Sequence, residues 1–386
     1  MPRELIYADN AATTKMSDVA FAKMLPFLQE QYGNASSQYS LAMKSKRAIE
    51  QAREQVAVGI GAERNNIIFT SGGSESNSWV LSSVPVLFGN KGTHIITSGI
   101  EHHSVLRACH ALEQKGIDVT YLSVDRVGRV TLDNLKAAIR PDTKFVSLML
   151  ANNEIGTIQP IAEIGRYLRD KNILFHTDAV QAMGHIPVNV NELYVDFLAA
   201  SAHKFNGAKG TGILYKRSGI SVPQIVFGGE QEYGLRSGTE NVAGIVAAGY
   251  ALEENISDMR GTANRLVTFV QATIDGIRAK VPNICVNGDP ENRLPGIVNI
   301  AFENSSGESL MHLLDLKGIC VSTSSACTSG KDEPSHVLMA LGLSEKQAKS
   351  AIRISYGKYN TMQEVESVIF AVCNAYDKIF RATSNL

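Results

Sequence analysis

Two short segments, ILFHTDAVQ (residues 173–181) and VDFLAASAHK (residues 195–204), decide the fold. Each begins as an apolar run of strand length and ends in polar residues, as the buried strands of an open α/β sheet do. Outward from these segments, between about residues 40 and 215, further apolar runs alternate with stretches of helical periodicity. This alternation is typical of a mostly parallel sheet covered by helices.

The same alternation predicts the strands and a boundary along the chain. The seven strand candidates are Ile67 to Phe69, His94 to Thr97, Val119 to Leu122, Phe145 to Leu150, Ile173 to His176, Val195 to Ala200 and Gly212 to Tyr215. After about residue 258 the sequence becomes mainly helical, with a few strands such as Val298 to Phe302 and a closing helix capped by Thr361 and Glu364. We therefore expect a large α/β domain of residues 15–258, with a mostly parallel seven-stranded sheet, and a smaller α+β domain of residues 1–14 and 259–386.

Size and charge exclude several functional classes. The chain has 386 residues with 37 basic and 38 acidic side chains, and it has no basic stripe that could neutralise a row of phosphates. A nucleic acid is therefore not expected as the main ligand. No apolar stretch approaches the roughly 18 residues that cross a bilayer, and the first residues lack the apolar core of a secretory signal. We expect a cytoplasmic protein that does not bind a membrane.

The five cysteines are interpreted from their neighbours. Their odd number and scattered positions do not form a disulfide framework, and none has the C-x-x-C spacing of a metal site, so no metal is expected. Four have apolar or helical neighbours and are predicted to be small core residues: Cys109, Cys285, Cys320 and Cys373. Cys327 instead lies in the small, polar segment STSSACTSG (residues 322–330) near Lys331, which favours a reactive thiolate.

Polar residues follow the two segments quoted above. Asp178 ends the first strand, where ligands of open α/β sheets bind, although a helix N-cap would explain the same aspartate. Gln181 faces the same side of the next turn. Lys204 directly follows the second strand and lies at the sheet edge, whereas most lysines are solvated surface residues. A lysine that can form a Schiff base and a carboxylate that can hold the proton of a pyridine ring are what pyridoxal phosphate requires.

Candidate sites for a phosphate and a carboxylate also occur. The run TSGGSE (residues 70–75) follows a strand and opens a helix, so its backbone N–H groups and the Ser74 hydroxyl can bind an anion, although Gly-rich turns are common. His102 lies beyond another strand, where an imidazole could stack on a cofactor or move protons, but a lone histidine is more often structural. Arg353 alternates with two isoleucines and can bind a carboxylate through two hydrogen bonds, unless it forms a surface salt bridge.

In this order, these residues resemble the cysteine desulfurases of the class-V aminotransferase-like, fold-type I pyridoxal phosphate enzymes, from Ala11 to about Asn360. SAHK (residues 201–204) is similar to the Schiff-base segment of that family, and FHTDAVQ (residues 175–181) to its pyridinium-binding segment. The segment around Cys327 resembles the long catalytic loop of the branch that supplies sulfur to iron–sulfur assembly and tRNA thiolation. The sequence departs from the family pattern at four positions: Ala35, Tyr39, Ala42 and Ser78.

The resemblance implies a role for each candidate residue. Lys204 would carry the cofactor, Asp178 would hold the pyridine proton, and His102 would stack on the ring and move protons. The other cofactor-binding residues that it implies are Gly73, Ser74, Asn153, Gln181, Ser201 and His203, with Thr239 supplied by the neighbouring subunit of a homodimer. The remaining implied roles are substrate-carboxylate binding by Arg353 and Asn34, and nucleophilic attack by Cys327.

The activity implied is conversion of L-cysteine to L-alanine with transfer of the sulfur to Cys327 as a persulfide, for delivery to an acceptor such as an iron–sulfur scaffold protein or to tRNA thiolation. Two alternatives stay open. One is a selenocysteine lyase or another pyridoxal phosphate-dependent lyase or aminotransferase that does not depend on Cys327. The other is a sulfur-relay or scaffold protein without catalysis. A hydrolase is disfavoured, because the sequence has neither a G-x-S-x-G elbow nor an H-E-x-x-H motif.

Overall fold

The structure is a computed structural model that describes residues 5–323 and 333–384, with side chains as far as Phe380. Its strands are β1 (Ile6–Tyr7), β2 (Ile67–Thr70), β3 (His94–Ser98), β4 (Asp118–Leu122), β5 (Thr143–Ser147), β6 (Leu174–Asp178), β7 (Phe197–Ser201), β8 (Gly212–Lys216), β9 (Ile284–Asn287), β10 (Ile297–Phe302), β11 (Ile319–Cys320), β12 (Ser322–Thr323) and β13 (Ala351–Ser355). Its α-helices are α1 (Asp18–Met24), α2 (Pro26–Gln29), α3 (Ser40–Gly59), α4 (Gly73–Phe88), α5 (His103–Glu113), α6 (Leu132–Ala138), α7 (Ile161–Asp170), α8 (Val242–Ser257), α9 (Met259–Arg278), α10 (Gly307–Asp315), α11 (His336–Ala340), α12 (Glu345–Lys349) and α13 (Met362–Ser384).

The largest sheet contains the seven strands predicted from the apolar runs. Its strand order is β2-β8-β7-β6-β5-β3-β4. All neighbours from β4 to β7 are parallel, whereas β8 runs antiparallel to β7 and to β2. The prediction of an α/β fold with a large, mostly parallel seven-stranded sheet is therefore confirmed. Because β6 extends to Asp178, this carboxylate stands on the last residue of its strand.

Helices cover both faces of this sheet, which explains why its strands are almost continuously apolar. Successive residues of β2 enter different cores: Ile67 packs in the core with helices α3 and α8, and Ile68 in the core with helices α4 and α5. Phe197 and Leu198 of β7 divide between the same two cores. Both faces of β2 and β7 are dry, so these strands are apolar at consecutive positions, whereas the edge strand β4 is partly exposed and contains Asp118.

The rest of the chain forms a four-stranded antiparallel sheet of order β12-β13-β10-β9 and a parallel pair of β1 with β11. Helices α9, α10 and α13 pack on this part. The predicted capping box is present, because Thr361 N–H donates to Glu364 Oε2 (2.7 Å) and Glu364 N–H donates to Thr361 Oγ1 (3.3 Å). The division into two domains at residue 258 stays a prediction.

The prediction that Cys285 is a core residue is wrong. Cys285 is exposed on β9, the edge strand of the four-stranded sheet. Its neighbours Ile284 and Val286 pack against the core, and side chains alternate across a strand, so the residue between them faces outward. Cys109 and Cys373 are buried as predicted, and Cys320 is partly buried. Within the described ranges, no helix has both the length and the apolar character needed to cross a membrane.

Candidate active site

The carboxyl edge of the large sheet opens into a cavity of about 320 Å³. This volume is within the roughly 300–1,000 Å³ usual for small-molecule sites. Ten residues singled out in the sequence line it: Gly73, Ser74, His102, Asn153, Asp178, Gln181, Ser201, His203, Lys204 and Arg353. The fold therefore brings together residues that are up to 280 positions apart in the sequence, as Gly73 and Arg353 are.

The amine of Lys204 is held by the N-terminal segment of the chain. Strand β7 ends at Ser201 and continues into a 3-10 turn, Ala202–Lys204, that directs the lysine to the cavity. Lys204 Nζ donates to the carbonyl oxygens of Ala11 (2.6 Å) and Ala12 (2.8 Å). Gln181 Nε2 donates to the same Ala11 carbonyl (2.9 Å). The carbonyl groups of residues 11 and 12 thus hold Lys204 and Gln181 close to each other.

Asp178 is a buried carboxylate with a partner that the sequence interpretation missed. Its Oδ1 accepts from Val180 N–H (3.0 Å), and its Oδ2 accepts from Asn77 Nδ2 (2.6 Å). Asn77 also donates to Ser104 Oγ (2.9 Å), which contacts His102. The available signal was that Asn77 follows Gly73 by four residues on α4, so both lie on the same helix face. Asn77 therefore connects the carboxylate to the imidazole.

His102 is neutral near pH 7. It is the N-cap of α5, and its Nδ1 accepts the Ser104 N–H (3.1 Å), so the proton of the neutral ring lies on Nε2. Burial lowers the pKa of His102; Asp178 acts in the opposite direction and Lys204 in the same direction as burial. A neutral imidazole in the cavity can stack on a flat ligand and can exchange a proton at Nε2.

Two buried glutamates beside the cavity have raised pKa values. Burial raises the pKa of Glu101 to about 8, and its Oε1 accepts from Ser98 Oγ (2.6 Å) and Met149 N–H (3.0 Å). Burial raises the pKa of Glu154 to about 7, and its Oε2 accepts from Ser335 Oγ (2.5 Å). Because Glu101 is mostly protonated at neutral pH, it adds little negative charge next to Asp178.

An anion-binding end of the site lies at the N-terminus of α4. A groove there is lined by Ser71, Gly72, Gly73, Ser74, Glu75, Ser201, His203 and Lys209 among others. The first N–H groups of a helix have no acceptor within the helix and are available to an anion. A Cβ at Gly73 would lie 2.5 Å from Val180 Cγ2, so only glycine lets α4 begin this close to the cavity wall. Burial, then Lys204 and Lys209, lower the pKa of His203 to about 4, which keeps it neutral.

Arg353 forms a buried ion pair, so the surface salt bridge considered for it is wrong. It lies in the middle of β13 and is 5% exposed. Its Nη2 donates to Asp9 Oδ1 (2.7 Å), and its Nη1 donates to the Asn153 carbonyl oxygen (3.0 Å). Asp9 was missed in the sequence, because nothing near residue 353 points to residue 9.

Three predicted residues lie outside this constellation. Asn34 is exposed and does not line the cavity; its Oδ1 accepts from Ser36 N–H (2.9 Å). Thr239 is exposed and also does not line the cavity of its own chain. Cys327 lies outside the described residues, but Ser322 and Thr323, which precede it, line the cavity. In the described part of the chain, the four departures from the family pattern do not line it either.

Comparison with known proteins identifies the family of the chain. The sequence profile of the family described as Aminotransferase class-V matches residues 6–368. The cysteine desulfurase IscS of Dictyoglomus turgidum is 46% identical over 379 residues, which cover 98% of this chain and 96% of the relative. The cysteine desulfurase IscS of Methanosarcina thermophila is 46% identical over 374 residues, which cover 97% of this chain and 92% of the relative.

Solved structures give the same result. A NifS-like protein with 38% identity superposes with a TM-score of 0.91, covering 96% of this chain and 99% of that protein. The structure of SspA in complex with cysteine, with 34% identity, superposes with a TM-score of 0.82 and covers 92% of this chain and 100% of SspA. The chain therefore belongs to the class-V aminotransferase family, in which it groups with the cysteine desulfurases.

Proposed function

We propose that the protein is a pyridoxal 5'-phosphate-dependent cysteine desulfurase, which converts L-cysteine to L-alanine and transfers the sulfur to Cys327 as a persulfide. The observation that carries this proposal is that Lys204, Asp178 and Arg353 line one cavity of a chain that is 46% identical to cysteine desulfurases. The relative SspA is described in complex with cysteine, which supports the choice of substrate.

The described residues fit the cofactor. Lys204 offers an amine for its aldehyde carbon, Asp178 a buried carboxylate for its ring nitrogen, and His102 a flat neutral ring. Its phosphate fits the N-terminus of α4 with Gly73, Ser74, Ser201 and His203, and its ring oxygen fits Gln181 and Asn153. When bound, pyridoxal phosphate withdraws electrons from the substrate's α-carbon. Asn77 Nδ2 donates to Asp178 Oδ2 and so would hold this carboxylate in place for the ring nitrogen.

The chain's own groups then perform the remaining steps. Arg353 binds the substrate carboxylate, with Asn34 as a second predicted contact. Lys204 Nζ removes the proton from the α-carbon, and His102 Nε2 can exchange protons with the substrate. The Cys327 thiolate attacks the substrate sulfur: an S–S bond forms, and the C–S bond breaks with its electron pair left on the substrate. Protonation of the β-carbon and return of a proton to the α-carbon then give alanine, and the sulfur stays on Cys327 as a persulfide.

The direct test is product analysis with the purified protein, pyridoxal phosphate and L-cysteine in the presence of a thiol reductant. We expect sulfide and alanine in equal amounts, because each C–S cleavage yields one of each. A keto acid product would indicate an aminotransferase, and turnover of selenocysteine without turnover of cysteine would indicate a selenocysteine lyase. Tight cofactor binding with no product from either amino acid would favour the relay or scaffold protein and would contradict the proposal.

We also propose that the protein is a homodimer with shared sites. Several large apolar side chains on α1, on α2, on the connection from α2 to α3 and near Thr239 are exposed: Phe21, Leu28, Tyr39, Phe227 and Tyr233. An exposed apolar surface of this kind is typical of a protein interface. Gln231 Nε2 donates to Ser36 Oγ (3.2 Å), so the connection from α2 to α3 adjoins the segment near Thr239. Thr239, exposed in the single chain, is then free to reach the partner subunit's phosphate site.

Subunit complementation tests the shared site. Lys204→Ala and Thr239→Glu should each inactivate the homodimer, the second by placing a carboxylate against the phosphate. After subunit exchange of an equal mixture, about a quarter of the parental activity should return, because half the dimers are hybrids with one intact site. An exchanged mixture that is no more active than the two separate variants would contradict the contribution of Thr239.

The acceptor of the persulfide is proposed to be a separate protein, such as an iron–sulfur scaffold. The cytoplasm is the expected compartment, because Cys327 must be a free thiol before it can attack the substrate, and thiols stay reduced there.

A further inference from the structure

We infer that Asp9 is a positioning residue for substrate specificity: it orients the Arg353 guanidinium and neutralises its charge, so that an amino-acid carboxylate binds there in preference to a simple anion. This inference rests on the proposed function only in taking Arg353 as the carboxylate-binding residue. It assigns a role to a residue that lies 344 positions away from Arg353 in the chain.

The backbone around Asp9 is fixed from two sides. Ala8 N–H donates to the Cys320 carbonyl (2.9 Å), and Ser355 N–H donates to the Ala8 carbonyl (2.8 Å). Asn10 N–H then donates to the Ser355 carbonyl (3.0 Å). Asp9 therefore lies between β11 and the end of β13, two residues along the strand from Arg353. This pairing fixes the backbone of Asp9 within reach of the guanidinium, and the hydrogen bond to Arg353 Nη2 holds its carboxylate there.

The guanidinium retains donors for a ligand. Arginine has five N–H groups, and the hydrogen bonds to Asp9 and to Asn153 each use one. Arg353 Nε is buried and has no hydrogen-bond partner among the described residues. Asp9 and Asn153 hold the two Nη atoms, so the plane of the guanidinium is set before a substrate arrives. A carboxylate that enters the cavity finds an oriented set of donors, which lowers the cost of binding.

The charge of the pair determines what else can bind. A lone guanidinium that is 5% exposed would attract any small anion, because its charge is poorly screened there. Asp9, whose side chain is 18% exposed and which also lines the cavity, balances that charge. The substrate gains additional binding from its attachment to the cofactor, whereas a free anion depends on the guanidinium alone. The charge of Asp9 weakens both ligands, but a free anion can adjust to any guanidinium plane, whereas a substrate held by the cofactor also depends on the orientation that Asp9 sets.

Two variants separate orientation from charge. Asp9→Asn keeps an oxygen that accepts from Arg353 Nη2 but removes the negative charge, and Asp9→Ala removes both. With acetate as the probe, we expect the inhibition constant to fall about tenfold in both variants, as expected for removal of one ionic partner. The KM for L-cysteine should fall in Asp9→Asn, which keeps the orientation of the guanidinium, and should rise about tenfold in Asp9→Ala, where loss of that orientation outweighs the change in charge. The kcat should change less than KM in both variants.

A second measurement does not depend on turnover. The acetate-dependent rise in the thermal unfolding midpoint of the holoenzyme should begin at about tenfold lower acetate in both variants. Asp142→Asn is the matched control, because Asp142 forms an exposed ion pair with Arg140 outside the cavity. This control should behave as the parent does.

The inference is overturned if acetate binds the two variants no more tightly than it binds the parent, or if Asp9→Asn raises the KM for cysteine as much as Asp9→Ala. A general structural defect would weaken cysteine binding without strengthening acetate binding, so it is distinguished by the acetate measurement. Failure of the proposed function would appear differently, as a parental protein that yields no sulfide from cysteine while acetate still binds more tightly to the variants.

Discussion

Cys327→Ser should abolish sulfide release from L-cysteine while the cofactor absorbance and substrate binding stay as in the parent. A serine hydroxyl is not ionised near neutral pH and is a poor nucleophile towards sulfur, so turnover should fall on the order of 1,000-fold or more. Sulfide and alanine are measured together, and mass spectrometry of the protein after one turnover without reductant should find one added sulfur atom in the parent and none in the variant.

The matched control for this variant is Cys285→Ser. Cys285 is an exposed cysteine on the edge strand β9, so it tests whether any accessible thiol can accept the sulfur. It should retain parental activity. Full sulfide release by Cys327→Ser would mean that Cys327 is not the acceptor, and the alternative of a lyase independent of this cysteine would then be favoured.

Lys204→Ala should eliminate both turnover and the visible absorbance of the lysine-bound cofactor. Among the described residues, Lys204 is the one lysine that lines the main cavity. Without it, the cofactor has no covalent attachment and the substrate α-proton has no adjacent amine, so a loss on the order of 1,000-fold or more is expected. Absorbance spectra and cysteine turnover are the measurements. Borohydride reduction of the parent, followed by peptide mapping, should find the cofactor on Lys204.

Lys216→Ala is the corresponding control. Lys216 ends β8 in the same sheet, but its Nζ donates to the Ile220 carbonyl (2.8 Å) and it does not line the cavity. This variant should keep both the absorbance and the activity. If Lys204→Ala kept the absorbance, the proposed attachment site would be wrong.

The large sheet could be predicted because most of its strands are buried on both faces. Strands such as β2 and β7 are short, nearly continuous apolar runs, and such runs are recognisable without knowledge of their neighbours. The position of Cys285 could not be predicted in this way. Its apolar neighbours are visible in the sequence, but whether β9 is an edge strand or a central strand depends on the order of the sheet, which is a property of the whole fold.

The candidate site also contains residues that a local pattern predicts and residues that only the whole fold brings together. Lys204 and Asp178 were found because each directly follows a strand, a local feature, and the resemblance to a family extended the set to ten cavity residues. Asn77 and Asp9 were missed because their partners lie 101 and 344 positions away, and no local pattern marks such a pair. In the proposed homodimer Thr239 would reach the site of the partner subunit, and neither a local sequence pattern nor a single chain can show that contact.

The N-terminal segment has a consequence for the order of events during biosynthesis. The carbonyls of Ala11 and Ala12, which hold Lys204, lie 193 and 192 positions before it in the chain. The partner of Asp9, Arg353, lies 344 positions after Asp9. Strands of the large sheet can pair while the ribosome is still adding residues, but the cavity is incomplete until β13 has been synthesised. In the proposed enzyme the cofactor would therefore reach its final geometry late, and a nascent chain released before residue 353 would carry Lys204 without Arg353.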